Sequence, residues 1–405
     1  MTSAKEQAET WLTRRQEIGK RQQRGYVDRV RAGHGDLASD GAMENDARVY
    51  TDPVRYEREL TTLFKEFPIL ACLSQDLRET GSIFVFEELD VSIIITRAKD
   101  GAVNAFLNTC THRAAKLVEA PCRKNLITCP FHGWSFSHDG KLVGMPEGEA
   151  FENIDRENRS LISVPVVEWA GMIFILPRAG NDEIDIKGHL GDFAIELEQL
   201  ELQNAEPVKA GTLQAACNWK YGLDTYGEGY HFPVLHKNTV ARVNSSHPQY
   251  ENFGRHHRIG WAPVGAAQWA NMPEDEWPTP QYGGVHFIFP NTIIYYGSVS
   301  DTEPFVQVFR HYPDGIGAMK THLCVYMPGG INDEVQKSLV ETAGFDGTAH
   351  VVDTEDYWIA SNGWASLAKA PEGFKVIYGA NELALQDQHR NLAEATGMPL
   401  DIYDQ

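Results

Sequence analysis

Apolar residues along the chain fall into two regimes. Between about residues 80 and 130 they come in short β-rich runs, 83–86, 91–95, 103–106 and 126–127, separated by Gly and Asp turns, which predicts a small all-β domain. His138-Asp139-Gly140 supplies a hairpin turn further on, and residues 171–177 read as a buried strand. The period then changes. Residues 190–202 have amphipathic helical spacing, and a helix is expected after Asn218, a cap candidate. Strands recur at 285–289, 292–296, 305–310 and 320–326, followed by helical stretches over 333–343, 353–367 and 382–395. Strands in runs and helices in runs predict an antiparallel α+β arrangement, not alternating α/β. At the N-terminus a charged helical stretch over 4–31 gives way to a Gly/Asp/Ser-rich passage, and a short helix follows over 52–64. The expected organisation is a helical arm over 1–45, packed on the C-terminal domain or on a neighbouring subunit, a β domain over 46–167 and an α+β domain over 168–405.

Composition narrows the class. At 405 residues the chain is long enough for two packed domains. A net charge of -20 argues against a nucleic-acid or anionic-membrane surface, either of which needs a basic patch. No apolar run reaches transmembrane length and the polar start lacks the apolar core of a signal peptide, so a cytoplasmic protein is expected. Cys72, Cys122, Cys217 and Cys324 show no disulfide framework.

The remaining two cysteines carry chemistry. Cys110-Thr111-His112 and Cys129-Pro130-Phe131-His132-Gly133-Trp134 each offer one thiolate and one imidazole at short spacing, as two loops do when both close on one metal centre. Zinc fingers usually pair Cys with Cys and His with His. A Rieske 2Fe–2S cluster takes Cys on one iron and His on the other, and the alternation of Cys and His in both loops favours the cluster.

A second set lies downstream, where His231 and His236 stand five residues apart with Asp224 and Glu228 just before them. On an unbroken helix that spacing puts the rings about 140° apart; Pro233 is expected to end or bend the helix and let His236 swing back. Two imidazoles and a carboxylate make the facial triad of non-haem Fe(II) oxygenases, although a His pair beside acids is often merely structural. Asp353, Glu355 and Asp356, at the head of a helix, are the candidate carboxylates, and acids there also serve as caps. Phe232, Val234, Phe289, Ile294 and Trp358 are candidates for an apolar pocket wall. The chain has no strand-Gly-x-Gly-x-x-Gly-helix unit for a nicotinamide or flavin, so its electrons must come from elsewhere.

The first motif resembles the Rieske oxygenase family, whose signature is Cys-x-His, a spacer and Cys-x-x-His ahead of Gly-Trp; Ala114 stands where the family more often has Gly. Respiratory-chain Rieske proteins carry a further Cys in each loop, joined by a disulfide. Here Phe131 and Arg113-Ala114-Ala115 fill the loops instead, so a lower potential is expected. Residues 218–236 resemble the catalytic motif of Rieske oxygenase α subunits, Asn-Trp-Lys followed by an acid, Tyr-His and a second His, and residues 378–382 resemble a passage on that family's final helix. The resemblance implies a small all-β Rieske 2Fe–2S domain plus a helix-grip catalytic domain with an antiparallel sheet. It implies Cys110, His112, Cys129 and His132 as cluster ligands and His231 and His236 as ligands of a mononuclear Fe(II). Aligning Glu355-Asp356 with the family's Glu-Asp pair selects Asp356 as third ligand, with Asp353 the alternative. Glu228 becomes the acid joining the two centres, and Asp224 either lines the iron site or caps a turn. The implied activity is that of a terminal oxygenase taking O2 and electrons from NAD(P)H, through a reductase with or without a ferredoxin, to hydroxylate a small apolar, aromatic substrate. O- or N-demethylation and electron carriage without oxygenation are the alternatives. The implied assembly is a head-to-tail homotrimer, with or without a β subunit, in which one chain's His132 meets the next chain's Glu228.

Overall fold

A computed structural model describes residues 4–280, 282–298, 304–331 and 333–400. These divide into two compact units, one made of Leu60–His189 with Glu201–Ala205, the other of the residues up to Glu59, Leu190–Leu200 and those from Glu206 on. No described helix is long and apolar enough to cross a membrane.

The smaller unit is built of antiparallel sheets. A five-stranded sheet runs in the order Ser163–Val164, Val103–Leu107, Ile93–Arg97, Ser82–Phe86, Cys122–Arg123, beside three-stranded sheets of Ile69–Leu73, Met172–Ile175 and Val166–Trp169 and of Ile127–Thr128, Ser135–Phe136 and Leu142–Gly144. Ile93, Ile94 and Ile95 are all buried, because this strand is covered on both faces and so reads as a continuous apolar run. Ile83, Ile94, Phe106, Ile127 and Phe136 form a core that also encloses Cys110 and Cys129.

The larger unit is organised by a seven-stranded antiparallel sheet in the order Glu206–Ala215, Met319–Met327, Pro304–Pro313, Thr292–Ser298, Gly284–Ile288, His256–Pro263, Asn244–Phe253. Residues directly opposite in register share a face. The pairs Ile259↔Val285, Phe287↔Ile293, Phe309↔Leu323 and His311↔Thr321 therefore define one face. A helical run over 334–367 lies on it: Gln307 donates to the Gly344 carbonyl at 2.5 Å, and the hydroxyls of Thr321 and Tyr357 meet at 2.5 Å. The last helix, Leu383–Thr396, also reaches this face, where Tyr250 donates to Asp387 at 2.7 Å. The N-terminal helix Ala4–Ala32 covers the opposite face. Tyr26 packs on Gly260, Gln22 donates to the Gly283 carbonyl at 2.7 Å, and Arg21 pairs with Glu196 at 2.9 Å and Glu251 at 3.0 Å.

These contacts move the domain boundaries from those expected. Strand Met43–Asp46 pairs with Lys375–Tyr378, and Val49 and Tyr50 pack with Leu367, Tyr378 and Leu385, so residues 46–59 lie with the larger unit. Conversely, Met172–Ile175 pairs with both Ile69–Leu73 and Val166–Trp169 and extends the β unit past 167.

His257, His286 and His311 are buried in this sheet, and burial above all lowers each pKa to about 3. An unfolded imidazole titrates near 6.5. The unfolded chain therefore binds protons that the native state refuses, so stability is complete above about pH 6.5 and falls as pH drops below it. Each group contributes about 1.4 kcal/mol per pH unit, the three together about 4. Urea unfolding of the larger unit should show this fall between pH 6 and 5, and His257→Gln should flatten the slope by about a third; a stability level across that range would contradict it.

Candidate metal centres

The two Cys/His loops repeat one backbone pattern. In the first, Cys110 N–H donates to the Ala115 carbonyl at 2.8 Å and Ala114 N–H to the Cys110 carbonyl at 2.9 Å. In the second, Cys129 N–H donates to the Trp134 carbonyl at 2.8 Å and Gly133 N–H to the Cys129 carbonyl at 3.1 Å. Each loop reverses through one left-handed residue, Ala114 at φ 59 and Gly133 at φ 72. Buried Asn108 staples the base of the first loop, accepting from Leu117 and Val118 N–H and donating to the Val118 carbonyl at 2.7 Å. Both cysteines point into the core. His112 stacks on buried Trp134 with centroids 4.7 Å apart, and exposed His132 lies 4.7 Å from His112 and stacks under Phe131. Nδ1 of His112 is buried with no hydrogen-bond partner. Burial, together with the neighbouring Cys129 thiol, pushes the Cys110 thiol up, so two thiolates here require positive charge close by. Paired inward thiols and an orphaned imidazole nitrogen suit a 2Fe–2S cluster, which Cys110, Cys129, His112 and His132 would hold.

The second site begins at the helix Trp219–Asp224, capped by Asn218, whose side chain accepts from Lys220 N–H at 3.1 Å. Lys220 and Trp219 both donate to buried Glu59, Lys220 Nζ at 2.5 and 2.6 Å and Trp219 Nε1 at 3.0 Å. The helix ends at Asp224, well before Pro233, so the two histidines stand on successive turns and not on the bent helix expected. Their rings are 4.8 Å apart. Asp356 Oδ1 lies 3.1 Å from His236 Nε2 and 3.6 Å from His231 Nε2, and one ligand atom from each residue falls within 4.8 Å of the others.

The far nitrogens of both rings are taken by carboxylates. His231 Nδ1 bonds Glu228, and His236 Nδ1 bonds Glu355 Oε2 at 2.5 Å. Burial alone lowers the His236 pKa, but Asp356 and Glu355 outweigh it and raise the pKa; a divalent cation at Nε2 would supply the same positive charge without the proton. His231 Nε2 is buried and has no hydrogen-bond partner. Two Nε2 lone pairs and one carboxylate, with each Nδ1–H anchored, fit a divalent iron.

A model of the Rieske [2Fe-2S] domain matches residues 67–161, and a model of the ring hydroxylating alpha subunit catalytic domain matches residues 202–397. The chain belongs to the Rieske ring-hydroxylating oxygenase alpha subunits. It is similar to the carnitine monooxygenase oxygenase subunit of Acinetobacter baumannii, 26% identical over 298 residues that make up 72% of this chain and 78% of that one. It is similar also to the anthranilate 1,2-dioxygenase large subunit of Acinetobacter baylyi, 28% identical over 227 residues, 54% of this chain and 47% of that one. Among solved structures, a quaternary ammonium Rieske monooxygenase matches with TM-score 0.72 at 22% identity, over 89% of this chain and 96% of that chain; this likeness establishes the fold.

Within this Rieske oxygenase, the residues singled out from sequence separate clearly. Asp356 joins the two histidines, whereas Asp353 is exposed on the outer side of the same turn. Asp224 is buried away from the three: Tyr50 donates to it at 2.5 Å, Gln388 at 3.2 Å, and His389 Nε2 lies 3.1 Å away. Phe232 packs between the imidazoles of His231 and His236 and Trp261, but Val234 is 84% and Trp358 57% exposed, and Ile294 faces away from the helical run, in register with His286. Sequence reasoning counted Glu355 among three candidate carboxylates and as a marker of the Glu-Asp pair, but not as a partner of His236. Its signal was adjacency to Asp356, which in an α-helix would turn the two side chains about 100° apart. Here residues Val352–Asp356 form a π-helical turn, and both acids reach His236.

The left-handed pair gives a reciprocal test. Ala at positive φ costs about 1–2 kcal/mol, partly offset because Gly adds unfolded-chain freedom worth about 0.5–1 kcal/mol. Ala114→Gly should therefore raise the stability of the β unit by about 0.5–1 kcal/mol. Gly133→Ala should lower it, since its new Cβ would stand 3.3 Å from Pro146. Thermal loss of the visible cluster absorption measures both; equal midpoints would mean that the loops do not hold these dihedrals.

Proposed function

We propose that this chain is a terminal oxygenase that inserts one atom of O2 into a C–H bond of a small quaternary ammonium compound. The observation that carries the oxygenase reading is the group His231, His236 and Asp356, with both Nδ1–H groups anchored, in one chain with the Cys/His loops. In this reading Cys110, His112, Cys129 and His132 hold the cluster and His231, His236 and Asp356 the mononuclear iron. Bound there, the two groups supply single-electron transfer and O2 activation. Electrons come from NAD(P)H through a separate reductase, with or without a ferredoxin. Two electrons and two protons take the second oxygen atom to water.

The chain's own residues orient and exclude. Phe232 places aromatic surface beside both metal-facing imidazoles, and such a surface suits a cationic head group. The carnitine monooxygenase subunit, similar over most of both chains, supports this substrate class. Aromatic ring hydroxylation is the second reading, supported by the similarity to the anthranilate dioxygenase subunit.

We place His132 and Glu228 at a junction between neighbouring subunits of a head-to-tail trimer. His132 is exposed, and the half-buried Glu228, already holding His231, keeps lone pairs for a second donor. The trimer supplies the short electron path that such a junction requires.

Iron analysis checks the ligand sets. The wild type should hold about three irons per chain, two in the cluster and one mononuclear. Cys110→Ala should lose the Rieske spectrum, while His231→Ala, His236→Ala and Asp356→Ala should each keep it and lose about one iron. A full mononuclear complement in Asp356→Ala would move the third ligand elsewhere.

Substrate class is checked by O2 uptake with a surrogate reductase and NADH. Carnitine, choline and glycine betaine should include a compound whose oxidation consumes O2 and NADH in equal amounts and yields an oxygenated product. Coupled turnover of benzoate or anthranilate, with only uncoupled uptake for every cation, would favour the second reading.

A further inference from the structure

Glu355 lies beside a ligand yet outside the ligand set. Its Oε2 is 2.5 Å from His236 Nδ1, and the Thr239 hydroxyl donates to the same oxygen at 2.8 Å. Thr239 is itself fixed to the histidine turn, its N–H donating to the His236 carbonyl at 3.0 Å. The carboxylate arrives from the π-helical turn Val352–Asp356, about 120 residues further along the chain. It thus joins two segments that must agree on the position of one ring. Glu228 stands three residues before His231 in the same loop, and so fixes its ring only locally.

A neutral imidazole carries one proton, and its other nitrogen is then the only one free to bind metal. If the proton sat on Nε2, His236 would present an N–H to Asp356 and to the iron. A carboxylate at Nδ1 excludes that arrangement, and its charge raises the basicity of Nε2 more than a neutral acceptor does. We propose that Glu355 is a positioning residue of the iron site, holding His236 as the tautomer whose Nε2 lone pair faces Asp356 and making that ring a strong donor. This rests on the reading of His231, His236 and Asp356 as the iron ligands. The π-helical turn is the backbone device that lets consecutive acids take the two nitrogens of one imidazole, Asp356 on the metal side and Glu355 behind.

The test follows release of mononuclear iron from the holoenzyme into an excess of ferrous chelator, with the cluster absorption as internal control. Glu355→Ala should release this iron about ten- to a hundredfold faster than the wild type, the range typical for loss of such an outer partner. Glu355→Gln keeps an acceptor of the same shape and should fall between the two. Thr239→Val, which frees the carboxylate from its other donor without touching the ring, should shift release in the same direction by less. These last two variants preserve shape, so the question stays answerable if Glu355→Ala folds poorly. Wild-type release from Glu355→Ala, or Glu355→Gln as fast as Glu355→Ala, would overturn the positioning role. Retention of mononuclear iron by Asp356→Ala would instead overturn the ligand set on which it rests.

Discussion

Two imidazoles aim lone pairs at one point most firmly when acceptors hold their protons on the far side. In this chain Glu228 does so for His231 and Glu355 for His236, and much of the larger unit serves to keep those two acids in place. The histidine loop follows a short helix pinned at its start by Lys220 and Trp219 on Glu59. Burying that charged pair is costly; it is sustained because both carboxylate oxygens find donors within 3.0 Å. The second acid is carried by the helical run over 334–367, itself keyed to the sheet by Gln307 and Thr321. Sheet, run and loop therefore converge on two ring orientations.

What could be read from sequence follows how locally each feature is determined. The Cys/His loops were legible because four residues at short spacing carry their own chemistry, and the strands of the β unit because apolar runs alternate with turns. Strands Thr292–Ser298, Pro304–Pro313 and Met319–Met327 were legible for the same reason. Asn244–Phe253 and Glu206–Ala215 escaped notice because they are the sheet's two edges and carry polar or small residues along one face. The neighbouring His256–Pro263 was hidden by its histidines and Arg258, whose burial is offset by Glu196 and Glu251 from elsewhere in the chain.

Glycines misled in one place. Gly344 and Gly347 look like stop signals between two helices, yet the run continues through both. A Cβ at Gly344 would make only ordinary contacts of 3.5 Å with Phe305 and Val325 on the sheet, and the helical hydrogen bonding runs on regardless. The placement of the histidine pair was inferred correctly in outcome and wrongly in mechanism, because Gly227, Gly229 and Pro233 replace the bent helix with a chain of turns. Residues Tyr50, His389 and Glu355 had no local signature, being 174, 165 and 119 positions from the partners that give them meaning.

The π-helical turn at Val352–Asp356 has a consequence for how this protein can change over generations. Such a turn carries one residue more than the α-helical turn it replaces. Deleting that residue would restore a regular helix and swing everything on one side of the deletion by about 100° relative to the other, so the surfaces keyed to Gln307 and those carrying Glu355 and Asp356 would no longer face the sheet and the histidines together. Side chains on the exposed side of this run, such as Val335, Leu339 and Trp358, are free to drift. Its length is not: insertions and deletions are barred from a stretch whose outward positions place almost no demand on residue type.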